Sequence, residues 1–301
     1  MGAATVRAAR ARLGSGQPLG LANVPRPPIG AHVPVSGGLA TAGLRYAATI
    51  GAEAIQVFVS NPRRWALSDG DPDEDAAFAR HAGLPVFVHA SYLVNLGSTD
   101  AQTSARSAES LGHALRRSAE IGARAVVVHT GSAVNGDKAA ALRQVSKTLL
   151  PLLDNIDDNG PDLLLESMAG KGQMLCAAVT DFADYLDALG RHPRVGICLD
   201  TCHVFAAGHD LASPGGVQRT LEALGSAAGP GRLKLVHAND SKDPCGSRRD
   251  RHEHIGAGRI GAQAFRELLR HPLTAGVPFV VETRGPAEPH ARDIALLKEL
   301  A

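Results

Sequence analysis

The sequence is poor in cysteine and contains no long apolar run. Its 301 residues include four cysteines, and none of them forms a Cys-x-x-Cys pair. A disulfide framework is uncommon in a domain of this size with so few thiols. We therefore expect reduced, mostly packing thiols at Cys176, Cys198, Cys202 and Cys245. No apolar run approaches the roughly 18 residues that a membrane span requires. These features favour a cytoplasmic protein.

The sequence also has almost no net charge. Its 31 basic and 30 acidic residues give a formal charge of +1, so no basic field covers the whole surface. Any binding to nucleic acid must come from local patches of Lys and Arg, because phosphates are neutralised where the nucleic-acid backbone lies. The hydrophobic fraction of 44% and the charged fraction of 20% are typical of a globular chain.

Residues 1–28 differ in composition from the rest of the chain. They contain Arg7, Arg10, Arg12 and Arg26 and no acidic residue, and they end in Pro25-Arg26-Pro27-Pro28. This segment lacks the long apolar centre of a secretory signal, and its Gly and Pro residues interrupt any amphipathic helix. We expect residues 1–28 to be a disordered extension and residues 29–301 to form the folded domain.

From residue 29 onward, short apolar runs alternate with helix-like segments. The strand candidates span residues 29–33, 54–59, 85–88, 125–128, 163–165, 195–199, 233–236 and 278–281. Strands that alternate with helices predict a parallel sheet. Eight such units predict a single-domain α/β protein with the (β/α)₈ or TIM barrel fold, and a doubly wound open sheet is the alternative.

The last six strand candidates all end at a side chain of metal-ligand type. These side chains are His89, His129, Glu166, Asp200, His237 and Glu282. In a parallel barrel the carboxyl ends of the strands lie on one rim, the face that holds active sites in this fold. Carboxylates crowded on one rim repel one another, and divalent cations remove that penalty. The pattern therefore predicts metal binding at the rim.

Three further candidate ligands follow the sixth and seventh strands. Asp250 and His252 lie two residues apart in a charged loop, so that both can point the same way and chelate one ion. His203, which we place in the loop after Asp200, is available as a third ligand. Nine ligands are too many for one four-coordinate zinc ion, and they suit a centre of two or three metals. Centres of that type serve phosphoester hydrolysis.

At this point the chain resembles the endonuclease IV family of zinc-dependent apurinic/apyrimidinic (AP) DNA endonucleases. The resemblance covers residues 29–301 and is carried by several motifs together. These are Gly30-Ala31-His32-Val33 with Gly37-Gly38, Ser91-Tyr92-Leu93-Val94-Asn95-Leu96-Gly97, Asp200-Thr201-Cys202-His203, His237-Ala238-Asn239-Asp240-Ser241-Lys242 and Asp250-Arg251-His252.

The resemblance implies three zinc ions per chain, with manganese as an alternative at one site. It assigns His89, His129 and Glu166 to one ion, and Glu166, Asp200, His237 and Glu282 to a second. It assigns His203, Asp250 and His252 to the third. It also implies hydrolysis of the phosphodiester 5′ to an abasic site, which leaves a 3′-hydroxyl and a 5′-deoxyribose phosphate, and removal of 3′-blocking groups. We expect Glu166 and Glu282 to be the catalytic carboxylates nearest the nucleophile.

The same resemblance implies which residues contact DNA. Arg63 and Arg64 follow the second strand candidate, and Tyr92 and Leu93 follow His89. Arginine suits phosphate and groove contacts, whereas Tyr and Leu can act as apolar wedges in the minor groove. The expected partner is double-stranded DNA with an abasic or 3′-blocked lesion. We expect a monomer with no membrane partner.

Two alternatives remain at this point. A metal-dependent sugar isomerase or epimerase of the xylose-isomerase-like barrel type also has a metal-rich rim, but it needs neither His203, Asp250 and His252 nor a DNA wedge. A non-catalytic damaged-DNA-binding protein tolerates the loss of metal ligands, and this sequence has lost none of them.

Overall fold

Eight parallel strands form a closed barrel in the computed structural model, which describes residues 26–80 and 84–301. The barrel strands are β1 (Ile29–His32), β2 (Ile55–Val57), β3 (Val86–His89), β4 (Ala125–His129), β5 (Asp162–Glu166), β6 (Val195–Asp200), β7 (Leu233–His237) and β10 (Phe279–Val281). A hairpin of β8 (Asp240–Ser241) and β9 (His252–Glu253) lies between β7 and β10. Strand β10 pairs with β1 and closes the barrel. The predicted TIM barrel is therefore confirmed, and the open sheet is wrong.

Helices connect the strands and surround the barrel. They are α1 (Arg45–Thr49), which continues a π-helical segment (Leu39–Leu44), α2 (Pro72–Ala79), α3 (Ala101–Glu120), α4 (Lys138–Asp154), α5 (Phe182–Ala188), α6 (Thr201–Ala207), α7 (Gly216–Ala228), α8 (Ala262–Arg270) and α9 (Ala287–Leu300). Asp71, Asp100 and Asp137 cap α2, α3 and α4, because each carboxylate accepts a hydrogen bond from a free backbone amide of the first turn. None of the helices in the described part of the chain is long and apolar enough to cross a bilayer.

The inside of the barrel is filled by side chains. A separate apolar cluster consists of Ala54, Phe87, Ala125, Val127, Leu164, Cys198, Leu235 and Val280. Their strand neighbours, such as Leu163 and Leu165, belong instead to the larger core under the helices. Successive side chains of a strand point to opposite faces, so the residue two positions after each inward residue also points inward. This rule places a polar layer directly above the apolar cluster.

The start of the barrel is held by an ion pair at its amino-terminal end. Arg26 donates two hydrogen bonds to Glu53, at 2.7 and 2.8 Å, and Lys298 lies 3.0 Å from the same carboxylate. The Pro28 carbonyl accepts a hydrogen bond from the Phe279 amide of β10. Most of the expected extension, residues 1–25, lies outside the described residues.

Candidate metal centre

A layer of eight inward-pointing polar side chains lies on the carboxyl-terminal rim of the barrel. We call it the rim layer, and it consists of His32, Gln56, His89, His129, Glu166, Asp200, His237 and Glu282. Seven of these side chains follow a residue of the interior cluster by two positions, as Glu166 follows Leu164 and Asp200 follows Cys198. The alternation of the strands thus brings the six predicted strand-end residues together above an apolar interior.

His89, His129 and Glu166 form the first donor group. The Oε2 atom of Glu166 lies 3.1 Å from His89 Nε2 and 3.4 Å from His129 Nε2. The other ring nitrogen of His89, Nδ1, lies 2.7 Å from the Ala90 carbonyl oxygen. Because a carbonyl only accepts, Nδ1 carries the proton of the neutral ring and Nε2 presents a lone pair to the centre.

Glu166, Asp200, His237 and Glu282 form the second donor group. His237 Nδ1 lies 3.1 Å from Glu166 Oε1, 3.2 Å from Glu282 Oε2 and 3.9 Å from Asp200 Oδ2. Glu166 therefore faces the first group with one carboxylate oxygen and the second group with the other. A carboxylate in this position can bridge two cations.

His203, Asp250 and His252 form the third donor group. Asp250 lies between the two rings, with Oδ2 3.3 Å from His203 Nε2 and Oδ1 3.0 Å from His252 Nε2. The Nε2 atom of His252 is buried and has no hydrogen bond to any described residue. Asp200 Oδ2 lies 3.6 Å from the same nitrogen. A buried ring nitrogen without a hydrogen bond, beside two carboxylates, is an arrangement that suits a cation.

The location of His203 differs from the sequence expectation. We placed it in a loop, and this is wrong, because α6 begins immediately after β6 at Thr201. Asp200 caps this helix by accepting a hydrogen bond from the His203 amide at 2.7 Å. His203 Nδ1 lies 2.8 Å from the Ser167 carbonyl oxygen, which leaves Nε2 to face Asp250. The first turn of α6 therefore carries this candidate ligand.

The cysteines near the centre are buried thiols. All four cysteines of the chain are free. Cys198 belongs to the interior cluster, and burial raises the pKa of its thiol to about 12. Burial also raises the pKa of Cys202 to about 12, although its Sγ lies within 4.8 Å of ligand atoms of Asp250 and His252. Neutral thiols at these positions agree with the predicted packing role.

The histidines of the centre have perturbed pKa values. Burial lowers the pKa of His129 to about 4. Burial acts the same way on His203, but the charges of Asp200 and Asp250 outweigh it and hold its pKa well above the usual range. At His252 burial is also outweighed, by the neighbouring carboxylates of Asp250, Asp200 and Glu282 together, and the pKa rises to about 9. The carboxylates thus attract positive charge, which protons or metal cations can provide.

The carboxylates of the rim layer also have perturbed pKa values. Burial alone raises the pKa of Glu166, but His237 and His129 outweigh it and hold the pKa well below the usual range. Glu282 likewise has a lowered pKa, because His237, His32 and His89 together outweigh burial. Asp200 differs, since burial prevails and raises its pKa. Ionised carboxylates and imidazoles are ligands that zinc prefers.

Two residues that hold the ligands were not predicted from the sequence. Gln56 contacts His237 and Glu282 through its side-chain amide. Asn239 donates a hydrogen bond to Asp200 Oδ2 at 2.8 Å and accepts one from the Glu282 amide at 2.8 Å. A polar residue within the apolar run of β2, two positions after the interior residue Ala54, was the available signal for Gln56.

The four predicted DNA-contacting residues lie on two neighbouring loops. Tyr92 is 44% exposed, and its ring lies 5.3 Å from that of His89 and 5.7 Å from that of His129. Leu93 is half-buried beside it, whereas Arg63 and Arg64 are exposed. The Pro62 carbonyl accepts hydrogen bonds from the Tyr92 amide and the Ser91 hydroxyl, so the two loops are joined. All four side chains are therefore on loops at the rim.

A cavity of about 680 Å³ opens beside the third donor group. His129, His203 and Asp250 form one wall. The remaining wall contains cationic and thioether side chains, from Met168, Lys171, Met174, Arg248, Arg249 and Arg251. The loop that carries the arginines is fixed on α6, because the Gly246 and Arg248 amides donate to the Phe205 and Ala206 carbonyls. The cavity thus combines metal-ligand side chains with positive charge.

Known proteins of similar sequence share almost the whole length of this chain. A protein named "Probable endonuclease 4" from Streptomyces coelicolor is 56% identical over 283 residues, which cover 92% of this chain and 96% of that protein. A protein of the same name from Nitratidesulfovibrio vulgaris is 38% identical and covers 91% of this chain and 99% of that protein. The family model described as "Xylose isomerase-like TIM barrel" matches residues 44–300.

Solved structures support the same relationship. Endonuclease IV from Thermus thermophilus is 34% identical, with a TM-score of 0.79, and the match covers 91% of this chain and 100% of that one. A D-tagatose 3-epimerase-like protein is only 18% identical, with a TM-score of 0.69 and a match that covers 91% of this chain and 96% of that one, so it shares the fold alone. This chain belongs to the endonuclease IV family, within the xylose isomerase-like TIM barrels.

Proposed function

We propose that this protein is a DNA repair endonuclease that hydrolyses the phosphodiester 5′ to abasic sites and holds three zinc ions. The relatives named "Probable endonuclease 4" and the endonuclease IV structure support a DNA-cleaving hydrolase. The observation that carries the proposal is Glu166, whose two oxygens face two donor groups on the rim. A third donor group adjoins them through Asp200.

The three donor groups define which residues would hold the metal. The first ion is assigned to His89, His129 and Glu166, and the second to Glu166, Asp200, His237 and Glu282. The third is assigned to His203, Asp250 and His252. The mixture of imidazole and carboxylate donors suits zinc, and manganese is the alternative at one position.

The chain supplies a prepared site for phosphoester hydrolysis. Bound zinc ions would activate a water molecule for attack on phosphorus and neutralise charge that develops on the phosphoryl oxygens. Glu166 and Glu282 lie on either side of His237 Nδ1 and are the carboxylates that we assign nearest to the nucleophile. Gln56 donates a hydrogen bond to the Glu282 carboxylate, and Asn239 accepts one from the Glu282 backbone amide, so Glu282 needs little rearrangement during the reaction.

The loops above the rim provide the contacts to DNA. An abasic nucleotide must leave the duplex to reach a centre at this depth. Tyr92 and Leu93 would enter the space that it leaves in the minor groove, while Arg63 and Arg64 contact the backbone beside it. The cationic wall of the cavity suits the phosphates on the other side of the lesion. The same site would remove 3′-blocking groups, because these are also phosphoesters of deoxyribose.

The sugar isomerase or epimerase alternative has weaker support. Its structural relatives are matched at identities that carry the fold alone. A third donor group and two loops with exposed arginine and tyrosine have no purpose in the isomerisation of a small sugar. A non-catalytic damage-binding protein would not need all nine donors, and each of them lies in one of the three groups.

The remaining assignments concern the setting in which the enzyme acts. We assign the catalytic domain to residues 29–301 and expect a monomer, because the DNA contacts come from a single chain. Four free thiols suit a reducing compartment, and we therefore place the protein in the cytoplasm.

A nicking assay tests the proposal. Zinc-loaded protein is incubated with a duplex that contains one tetrahydrofuran abasic analogue, and with the same duplex without it. We expect one incision on the 5′ side of the analogue that leaves an extendable 3′-hydroxyl, and no incision in the control duplex. Absence of incision by protein that contains zinc would contradict the proposed function.

A further inference from the structure

Gln56 is a fully buried polar side chain at the centre of the rim layer. It lies in β2 between two apolar neighbours, Ile55 and Val57, and its exposure is 0%. A buried amide without partners is costly, so its hydrogen bonds account for its presence there. The amide makes its hydrogen bonds to side chains of the rim layer.

The amide of Gln56 joins three side chains at the carboxyl ends of three other strands. Its Oε1 lies 2.8 Å from His237 Nε2. Its Nε2 lies 2.7 Å from Glu282 Oε1 and 3.0 Å from His32 Nδ1. Both heavy atoms of one amide therefore contact residues of the second donor group.

Only one orientation of this amide satisfies all three contacts. If the amide were reversed, its carbonyl oxygen would lie 2.7 Å from the Glu282 carboxylate, and two acceptors would repel each other. In the observed orientation the amide nitrogen donates to Glu282, and the carbonyl oxygen must accept from His237. Glu282 thus determines the direction of the amide, and the amide determines which nitrogen of His237 carries the proton.

The consequence concerns the nitrogen that His237 presents to the centre. With its proton on Nε2, the neutral ring points the lone pair of Nδ1 at the oxygens of Glu166 and Glu282. The opposite tautomer would point an N–H bond into the second donor group and exclude a cation there. His32 contributes from the other side, because its Nδ1 faces the amide nitrogen and acts as an acceptor.

We propose that Gln56 is a positioning residue that fixes the tautomer of His237 and the direction of Glu282, and thereby maintains the second metal position. This inference rests on the proposed zinc function of the site. Gln56 does not contact substrate, and its effect is transmitted through the two side chains that it holds. Supporting contacts of this kind change metal affinity by about 10–100-fold when they are removed.

The test measures zinc retention in Q56M, whose side chain is similar in length and unbranched but has no amide. Zinc-loaded protein is mixed with a chromophoric chelator, and the rate of zinc release and the zinc content per chain are recorded. We expect one zinc per chain to leave Q56M about 10–100-fold faster than the wild type. Q144M is the matched control, because Gln144 bonds Ser104 and Thr148 between α3 and α4. Its release rate should equal that of the wild type.

Q56N is a second variant, which can be measured if Q56M does not fold. It keeps the amide but is one methylene shorter, so it cannot reach His237 and Glu282 together. Thermal unfolding shows which of the two variants is folded. We expect zinc to leave the folded variant faster than it leaves the wild type. Release within twofold of the wild type, in Q56M or in Q56N, would overturn the role of Gln56. A wild-type protein that binds no zinc would instead contradict the proposed function itself.

Discussion

Glu166 meets His237 through one carboxylate oxygen only, since Oε1 lies 3.1 Å from Nδ1 and Oε2 is directed to the first donor group. Both side chains point inward because each follows an interior-cluster residue by two positions along its strand, Glu166 after Leu164 and His237 after Leu235. One carboxylate between two donor groups is the feature on which the proposed two-ion part of the centre depends.

Replacement of Glu166 by glutamine should remove most of the activity while the fold is kept. The substitution conserves volume but removes the negative charge between two metal positions, so we expect incision to slow by about 10³-fold or more. The measurement is single-turnover incision of the abasic duplex, with circular dichroism as the check on folding. E253Q is the control, because Glu253 lies in β9 and its carboxylate is 3.7 Å from Lys242. Near wild-type activity in E166Q would remove Glu166 from the mechanism.

Asp240 should determine whether the third donor group forms. Its buried carboxylate accepts hydrogen bonds from the backbone amides of Ser241, Gly256, Gly258, Ile260 and Gly261. Strand β8 begins at this residue and pairs with β9, which carries His252.

In D240N an amide NH₂ replaces one acceptor oxygen and faces backbone N–H groups. We expect a loss of about 1–3 kcal/mol in the free energy of unfolding, because buried amides lose their acceptor. We also expect the zinc content to fall by one per chain, measured by elemental analysis. D187N is the control, since the exposed Asp187 lies away from the centre and pairs with Arg191 in the described part of the chain. Full zinc content in D240N would show that the hairpin does not depend on this carboxylate.

Tyr92 should contribute to DNA affinity and not to metal binding. Its ring is 44% exposed above the first donor group, and no donor atom of the centre belongs to it. Loss of a ring that packs against bases or sugars costs about 1–3 kcal/mol, so we expect Y92A to raise the Kd for an abasic duplex by about tenfold to a hundredfold. Fluorescence anisotropy measures the Kd, with a duplex that carries a non-hydrolysable linkage 5′ to the abasic site so that it is not incised. Y92F should bind like the wild type, and a lowered zinc content in Y92A would contradict this division of roles.

Protonation of Glu53 should make the protein less stable in acid. The Arg26 guanidinium, together with Lys298, holds the pKa of Glu53 at about 2. A carboxylate with a pKa lowered by folding stabilises the native state above its unfolded pKa of about 4.3, and this contribution is lost as the pH falls towards 2. Because the carboxylate is about one-third exposed, we expect the contribution to be about 1 kcal/mol. The difference in unfolding free energy between wild type and E53Q should therefore shrink from pH 7 to pH 3. A constant difference would exclude this linkage.

The convergence of the strand-end side chains on the rim was predictable from the sequence for a physical reason. Strands buried on both faces are continuous apolar runs, so the first polar residue after each run marks the rim. His89, His129 and Glu166 each follow such a run directly. Because the barrel is parallel, all of these strand ends lie on one rim, and this can be predicted without knowing the structure of the loops.

Other features could not be predicted because their signals are not periodic. Helix α6 follows β6 without a connecting loop, and Thr201 to Ala206 are all buried, so it has no polar face. Its N-cap, Asp200, is also a candidate ligand, and the sequence pattern alone indicated only the second role. The hairpin of β8 and β9 has strands of two residues, too short for alternation to be visible. The role of Asn239 depends on its contacts with Asp200 and Glu282, which are far from it in the sequence.

The number of zinc ions per chain tests the central claim most directly. Purified protein is dialysed against metal-free buffer, and zinc is measured by elemental analysis beside an incision assay on the abasic duplex. The three donor groups predict three zinc ions per chain, together with loss of incision after chelation and its return when zinc is added. One ion or none in protein that incises the duplex would contradict the three-ion centre.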